Sequence, residues 1–514
     1  MSQRAMFHPH YRLLFSSCFH ALLGTSAFHF TTCLNPVEEY VQTFANNSFA
    51  VHYGLALNPV ELSWLWSTIA CMNAVGAFVG SLLLQYPAEL IGRRYTVMIV
   101  KNVIQVLAAV LQFSSVSGVN SVEMLIIGRF LGGVACAFSM FIPVFLAECA
   151  PADCRGLVAT IAFAGVPVWN TIGATTGLQQ LLGTPDAWHY VLLIPAIPAL
   201  VHMCMTSMFP ESPKFLFITE MEGQQAKNSI MFYHGSSANV KEAMQVMQLE
   251  SKLGPVNVRP DESATLRRIL QTPHLRIPLF ICLVTNAATS FGGSDIVLQY
   301  SASAGFLNSL GVPPLIAPWL DVLILQVPGI VVMIIASVLV ERTGRRPLLL
   351  WGIGLGVVAT GGLFAGSLFP KGSVISALLG ITGMFLSVVG FYIGPSYIST
   401  ILPSEMCPQN SRALSTGIAF GFGWIPSILI IVGYPPLDAT IGAYSVLPLV
   451  ILGAASFVYL YFYLPETKGK DVDEIVRLWL PRPDPEGRSN ESTPLLGNSH
   501  KFNTLGSLAE VDID

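Results

Sequence analysis

Charge is what this chain has least of. Asp, Glu, Lys and Arg make up 11% of its 514 residues, less than half the roughly 25% of an ordinary soluble protein. That is too little to coat a water-facing surface, so a soluble multidomain protein is excluded. Pervasive disorder is excluded too, because 53% of the residues are hydrophobic. The nine cysteines form no CxxC or Cys/His cluster, so no metal site is expected. No basic stripe with interleaved aromatics is present, which argues against a nucleic acid partner. No nucleophile–base–orienter set or phosphate loop is present, so neither an enzyme nor a cofactor is expected. A cleavable leader is not expected, because the first ten residues, MSQRAMFHPH, are largely polar and the apolar stretch after them is as long as a true span.

What is there is apolar length. The mean hydropathy is +0.61, and twelve runs approach or exceed the ~20 residues a spanning helix needs. They cover about 11–33, 62–85, 95–117, 121–147, 156–183, 187–209, 275–301, 313–340, 347–368, 373–402, 412–434 and 441–464. They are too long and too uniformly apolar for the alternating ten-residue strands of a barrel. The expected fold is an all-α polytopic membrane protein whose runs are split six and six by a charged stretch. The expected divisions are an N-terminus at 1–10, a first six helices at 11–209, a charged helical linker at 210–274, a second six at 275–464 and a tail at 465–514, disordered at its end.

The 26 Lys and Arg residues orient the chain. None lies between Arg12 and Arg93, between Arg155 and Lys214, or between Arg276 and Arg342. With both termini cytosolic, nearly all fall on the cytosolic side, and only Lys371 falls in an outer loop. Lys101, inside the third run, is expected to snorkel to the cytosolic interface. The long first outer loop, 34–61, carries an N-glycosylation sequon at Asn46. In the tail, Glu491-Ser492-Thr493-Pro494-Leu495-Leu496 fits the acidic dileucine pattern read by sorting adaptors, with Glu491, Leu495 and Leu496 as its anchors. The protein is expected at the plasma membrane or at an endosomal or lysosomal membrane.

Three motifs recur in both halves. Glu89-Leu90-Ile91-Gly92-Arg93-Arg94 follows the second run, and Glu341-Arg342-Thr343-Gly344-Arg345-Arg346 follows the eighth. Glu148 to Arg155 after the fourth run and Glu405 to Arg412 after the tenth both fit E-x-x-P-x-x-x-R. Pro210-Glu211-Ser212 follows the sixth, and Pro465-Glu466-Thr467 the twelfth. Matching positions in two halves suggest a duplicated fold. Over about residues 10–480 the set resembles the sugar-porter branch of the major facilitator superfamily, the facilitative hexose transporters in particular. The resemblance implies that each six form a six-helix bundle, with alternating access around a site between the bundles. It implies that Glu89, Arg93, Arg94, Glu148, Arg155, Glu211, Glu341, Arg345, Arg346, Glu405, Arg412 and Glu466 form a cytosolic latch that joins the bundles when the cavity opens outward. Arg129, in Gly128-Arg129-Phe130, is a further gating candidate.

The cavity positions depart from that family. Its glutamine in the fifth span falls on Phe163, and its QQLSGIN in the seventh falls on Thr289-Ser290-Phe291-Gly292-Gly293-Ser294-Asp295. Its asparagine in the eighth falls on Gly329, and of the Asn-Trp pair in the eleventh only Trp424 remains. Thr289, Ser290, Ser294, Asp295, Gln299, Thr400 and Trp424 are expected to line a polar cavity, with Phe163 and Gly329 as its apolar part. Asp295 is the acid that topology does not explain, and reads as a proton site or as a ligand for a hydroxylated or cationic solute. The first span has no acid to pair with Arg129, which favours facilitated diffusion. Its His20 and His29 read as packed or cavity-lining residues. The expected partner is a small polar solute such as a monosaccharide, carried across a lipid bilayer. Two alternatives stay open: a non-transporting sensor on this scaffold, and a proton-coupled carrier of a non-sugar solute using Asp295.

Overall fold

Helix starts follow from local chemistry. Asn58 caps the second span: its side chain accepts the Glu61 N–H and the Glu61 carboxylate accepts the Asn58 N–H, both at 2.9 Å, with Pro59 in the first turn. Ser121 and Ser373 cap the fourth and tenth spans more simply, each hydroxyl accepting one N–H, of Met124 and of Ser376. The computed structural model describes residues 10–151, 154–235, 240–253, 266–300, 319, 321–370, 373–407, 409–470, 474–475 and 478–479. Among them, eleven helices are long and apolar enough to cross a membrane. They are α1 (Tyr11–Tyr53), α2 (Pro59–Leu90), α3 (Arg93–Val119), α4 (Val122–Cys149), α5 (Arg155–Thr176), α7 (Leu275–Leu298), α8 (Val322–Val340), α9 (Arg345–Ser367), α10 (Val374–Met406), α11 (Leu414–Asp438) and α12 (Gly442–Tyr463). The shorter apolar helix α6 (Trp188–Cys204) takes the sixth place. Lys371 and the tail sequence Glu491–Leu496 lie outside the described residues.

The twelve helices form two pseudo-symmetric bundles, α1–α6 and α7–α12. Close helix contact within the first depends on small residues: a Cβ on Gly133 of α4 would meet the Asn73 carbonyl of α2 at 1.9 Å. The bundles meet along α2 and α11, along α5 and α8, and where α1 touches α7. All the repeated charge motifs lie at one end, here the motif end. The helices Pro213–Ile218, Gly223–His234, Val240–Leu253 and Leu266–Gln271 lie between α6 and α7 in the chain.

Two features differ from expectation. The segment expected as the first outer loop is largely a helix, Glu38–Tyr53. Glu38 and Glu39 occupy its first turn, Gly54 ends it with φ 66°, and Val41, Phe44, Ala45 and Ser48 form its buried face. Asn46 lies on this helix, and its side-chain oxygen accepts the Leu57 N–H at 3.0 Å.

Lys101 does not snorkel. It is fully buried, and its ammonium nitrogen donates to the Gly24 carbonyl at 2.7 Å and to Gln105 Oε1 at 2.8 Å. The cause is a break in α1. Its hydrogen-bond ladder turns wide over His20–Gly24 and tight over Ser26–Phe28. The break frees carbonyls inside the bundle, and a buried carbonyl needs a donor. Lys101 and Ser139 supply donors to Gly24, and Trp169 Nε1 donates to Leu22.

Candidate functional site: a cavity between the bundles and two charge clusters

The charge clusters are alike in the two bundles. Gly92 and Gly344 turn the chain into α3 and α9 with φ 97° and 94°, values that suit glycine alone. Those turns present the first main-chain N–H groups of α3 and α9 to a carboxylate. Glu211 accepts from the N–H groups of Arg93 at 3.1 Å, Arg94 at 2.9 Å and Ser212 at 2.8 Å. Glu466 accepts from those of Arg345 at 3.0 Å and Arg346 at 3.1 Å. Each acid therefore sits on the positive end of a helix. Burial pushes the Glu211 carboxyl pKa above its ordinary value, and the N–H groups and arginines pull against that.

Around each acid the ion pairs also match. Arg93 pairs with Glu148 at 3.4 Å and Arg345 with Glu405 at 3.3 Å. Ser212 donates to Glu148 and Thr467 to Glu405. Arg94 reaches the Phe209 carbonyl and Arg346 the Tyr461 carbonyl. Every one of these contacts stays within its own bundle. Glu89 is exposed, and Arg155 stands at the mouth of a cleft described below. The side chains of Glu341 and Arg412 lie outside the described residues.

Arg129 is buried in α4 and held by main-chain oxygens instead of an acid: Phe30 of α1, and Ile69 and Ala70 of α2. His20 and His29 are also buried.

The cavity lies between the bundles and, counted with the open space at its mouth, takes in about 940 Å³. The second bundle contributes Asn286, Thr289, Ser290, Asp295, Ser396, Ser399, Thr400, Trp424 and Ser427. The first contributes Phe28, Thr31, Asn73, Met140, Phe163 and Asn170. Among the described residues that line it, Asp295 is the one that is charged. Its Oδ2 accepts from Ser427 at 2.6 Å, and Ser427 is 3.1 Å from the Ser290 hydroxyl.

Of the expected lining, Phe163, Thr289, Ser290, Asp295, Thr400 and Trp424 are brought together. Ser294 is not. It donates to the Thr289 carbonyl and faces a small crevice beside α9 and α10. The reason is a kink: Gly293 takes φ 80° inside a widened turn, Ser290–Ser294, which turns Asp295 toward α11 and Ser294 away from it. The Gln299 side chain lies outside the described residues. Gly329 does not line the cavity, because the Tyr392 ring covers it; a Cβ there would meet that ring at 2.7 Å. The Tyr392 hydroxyl accepts from Asn170 Nδ2 across the bundles at 3.1 Å.

Sequence reasoning missed Asn73, Asn170, Asn286, Ser396, Ser399 and Ser427. Helical spacing held a signal for four of them: Ser427 is three residues after Trp424, and Ser396 four before Thr400. Asn286 is three residues before Thr289, and Asn170 is seven after Phe163, so each shares a helix face with a residue that was singled out.

The two ends of the cavity differ. At the end away from the motifs, Asn35 Nδ2 of α1 donates to the Leu298 carbonyl of α7 at 2.7 Å, and Ala174 and Leu178 pack on Val322. Toward the motif end, a separate cleft is lined by Pro143, Val144, Ala147 and Glu148 of α4, by Arg155, and by Ile401 and Ser404 of α10. Contacts between the bundles thus lie at the end away from the motifs, and a separate cleft lies at the motif end.

The family profile described as "Sugar (and other) transporter" matches residues 17–479. The chain belongs to this sugar transporter family. It is 27% identical over 450 residues to the human solute carrier family 2, facilitated glucose transporter member 9, covering 86% of this chain and 80% of that one. It is 28% identical over 459 residues to member 1 from Gallus gallus, covering 88% and 91%. The fold is that of XylE. A structure of that proton:xylose symporter bound to 6-bromo-6-deoxy-D-glucose matches with TM-score 0.75 at 20% identity, covering 91% of this chain and 99% of that one. The inward-open form of XylE from E. coli matches with TM-score 0.69 at 20% identity, covering 91% and 100%. As a member of the sugar transporter family, the protein is a secondary transporter of a small polar solute, not an enzyme, and works by alternating access.

Proposed function

We propose that the protein is a facilitative carrier of a neutral, hydroxylated solute of monosaccharide size. The observation that carries this reading is the cavity lining, in which amides and hydroxyls from both bundles face apolar rings, with a single acid and no base among the described residues. Amides and hydroxyls both donate and accept, which suits a sugar hydroxyl, and an anion would meet only Asp295. Relatives named as glucose transporters and as a xylose symporter support the same class. Uptake of D-glucose and D-xylose by proteoliposomes is expected to saturate without an imposed proton gradient. A strict requirement for such a gradient overturns the facilitative reading. Proton coupling through Asp295 to a non-sugar solute is the second reading, favoured by the placement of that carboxyl on the cavity wall.

In this reading the motif end faces the cytosol, as the distribution of Lys and Arg supports, and Arg93, Arg94, Glu148, Arg155, Arg345, Arg346, Glu405 and Arg412 engage across the bundles when the carrier faces outward. Asn46 accepts a glycan, which an Asn46→Gln shift in gel mobility tests. The Glu491, Leu495 and Leu496 signal recruits sorting adaptors to an endosomal or lysosomal membrane; Leu495→Ala with Leu496→Ala is expected to return the protein to the cell surface.

A further inference from the structure

Away from the cavity, the first bundle holds a buried polar network that transport chemistry does not use. It joins α1, α3 and α6 at the break in α1. Its members are His20 and Ser26 of α1, Lys101, Asn102 and Gln105 of α3, and His202 of α6, all fully buried.

The hydrogen bonds fix the protons. Asn102 Nδ2 donates to the Met98 carbonyl at 2.7 Å, which orients the amide, and it also lies 2.9 Å from His202 Nδ1. His202 Nδ1 is therefore the acceptor, and its Nε2 carries the proton. That Nε2 lies 2.8 Å from His20 Nδ1, which must accept, so the His20 proton is on Nε2. The chain of donation runs Asn102 to His202 to His20. It ends on a buried N–H without an acceptor among the described residues, and Asn102 Oδ1 is likewise an acceptor without a donor.

Lys101 is the other half. Its nitrogen has two neutral acceptors, Gly24 O and Gln105 Oε1, and Gln105 is itself fixed by the Ser26 hydroxyl and the Pro195 carbonyl. An ammonium brings three N–H donors and a neutral amine two. The two acceptors therefore suit the neutral amine, and an ammonium adds a third donor and a buried charge. The titratable groups around it are His20 from α1, His202 from α6 and Cys136 from α4, which also feels Arg129. Cys136 donates its thiol hydrogen to the Ala27 carbonyl. No carboxylate is among these neighbours.

We propose that Lys101, with the His20–His202 pair beside it, is a proton-binding site built into the break of α1, and that loading it is linked to which way the carrier faces. The linkage follows from position. The segment of α1 beyond the break carries Phe28 and Thr31 on the cavity wall and Asn35, which bonds α7 at the end away from the motifs. The bound proton adds a third N–H and a charge at Gly24, where the two segments of α1 join. A conformation that offers a further acceptor or water there gains on protonation, and one that does not loses. This site is separate from Asp295 and holds whatever the solute.

The test needs no substrate. The purified full-length protein and its Lys101→Met, Lys101→Arg and Asp295→Asn variants are unfolded thermally in detergent between pH 5.5 and 8.5. Hydrogen–deuterium exchange over residues 20–32 is followed across the same range, corrected for the intrinsic pH effect. The proposal expects a gap between wild type and Lys101→Met that changes with pH, several-fold pH-dependent exchange in wild type, and neither effect in Lys101→Arg, whose side chain stays charged. Asp295→Asn is expected to keep the wild-type pattern. A gap that is constant with pH, or the wild-type pH pattern in Lys101→Arg, overturns the proposal. If Lys101→Met fails to fold, Lys101→Arg alone decides.

Discussion

The Ser427 hydroxyl donates to Oδ2 of Asp295 at 2.6 Å, tying α11 to the kinked α7 on the cavity wall. A hydrogen bond to an ionised group contributes about 1.5–3 kcal/mol, more than the ~1 kcal/mol of a neutral pair. Asp295→Asn keeps an oxygen for Ser427 but removes the charge. The variant is expected to fold and to raise the half-saturation for a hydroxylated solute by about tenfold, equivalent to ~1.4 kcal/mol. Solute uptake against concentration checks this, and an unchanged half-saturation removes Asp295 from the solute site.

Gly92 and Gly344 should resist substitution equally. Each has positive φ, and an added Cβ would meet a carboxylate oxygen, of Glu211 at 2.4 Å or of Glu466 at 2.7 Å. Strain and the displaced acid together should cost roughly 2–4 kcal/mol per site. Thermal midpoints of Gly92→Ala and Gly344→Ala are expected to fall together. In a double-mutant cycle, Gly92→Ala with Glu211→Ala should cost less than the sum of the two.

Glu211 makes a prediction about pH. Burial raises its folded-state pKa above the ordinary 4.5, so the folded protein holds that proton more tightly than the unfolded chain does. Its contribution to stability is largest below the unfolded value and is lost as pH rises through the folded value. The stability of wild type relative to Glu211→Gln should therefore decline as pH rises from below 4.5 through that higher value. Denaturant unfolding across that window measures it, and a relative stability that rises with pH contradicts the assignment.

Tyr392 and Asn170 should govern movement of the bundles and not the fold. Tyr392→Phe removes one cross-bundle hydrogen bond, worth about 1 kcal/mol, and leaves the ring over Gly329. The expected outcome is a thermal midpoint within a few degrees of wild type, with faster hydrogen–deuterium exchange over α5 and α10. Gly329→Asn, which pushes into the ring, is expected to lower the midpoint itself.

The scaffold was legible because its signals are local. Span length, the two Gly-Arg-Arg turns and their acids each occupy a few consecutive residues, and the structure pairs Arg93 with Glu148 and Arg345 with Glu405, each pair inside one bundle and not across the two. The cavity was half legible, because its residues come from different helices. Nothing near Ser427 marks it as the partner of Asp295, and the turn at Gly293 decides between Ser294 and Asp295 by a backbone angle. Lys101 was misread for a related reason. A lone lysine near a helix end looks able to reach water, but the broken carbonyls of α1 and the side chain of Gln105 meet it inside the bundle.

The broken α1 is a jointed segment, with its joint over His20–Phe28. Its near arm, Tyr11–Phe19, begins at the motif end, where the Arg12 guanidinium lies 5.5 Å from the Phe232 ring of the helix Gly223–His234. Beyond the break α1 reaches α7 at Asn35, whose side chain bonds the Leu298 carbonyl. A displacement of that outlying helix has a mechanical route to the opposite face of the membrane through one polypeptide segment, with its fulcrum among Lys101, Gln105 and Ser139.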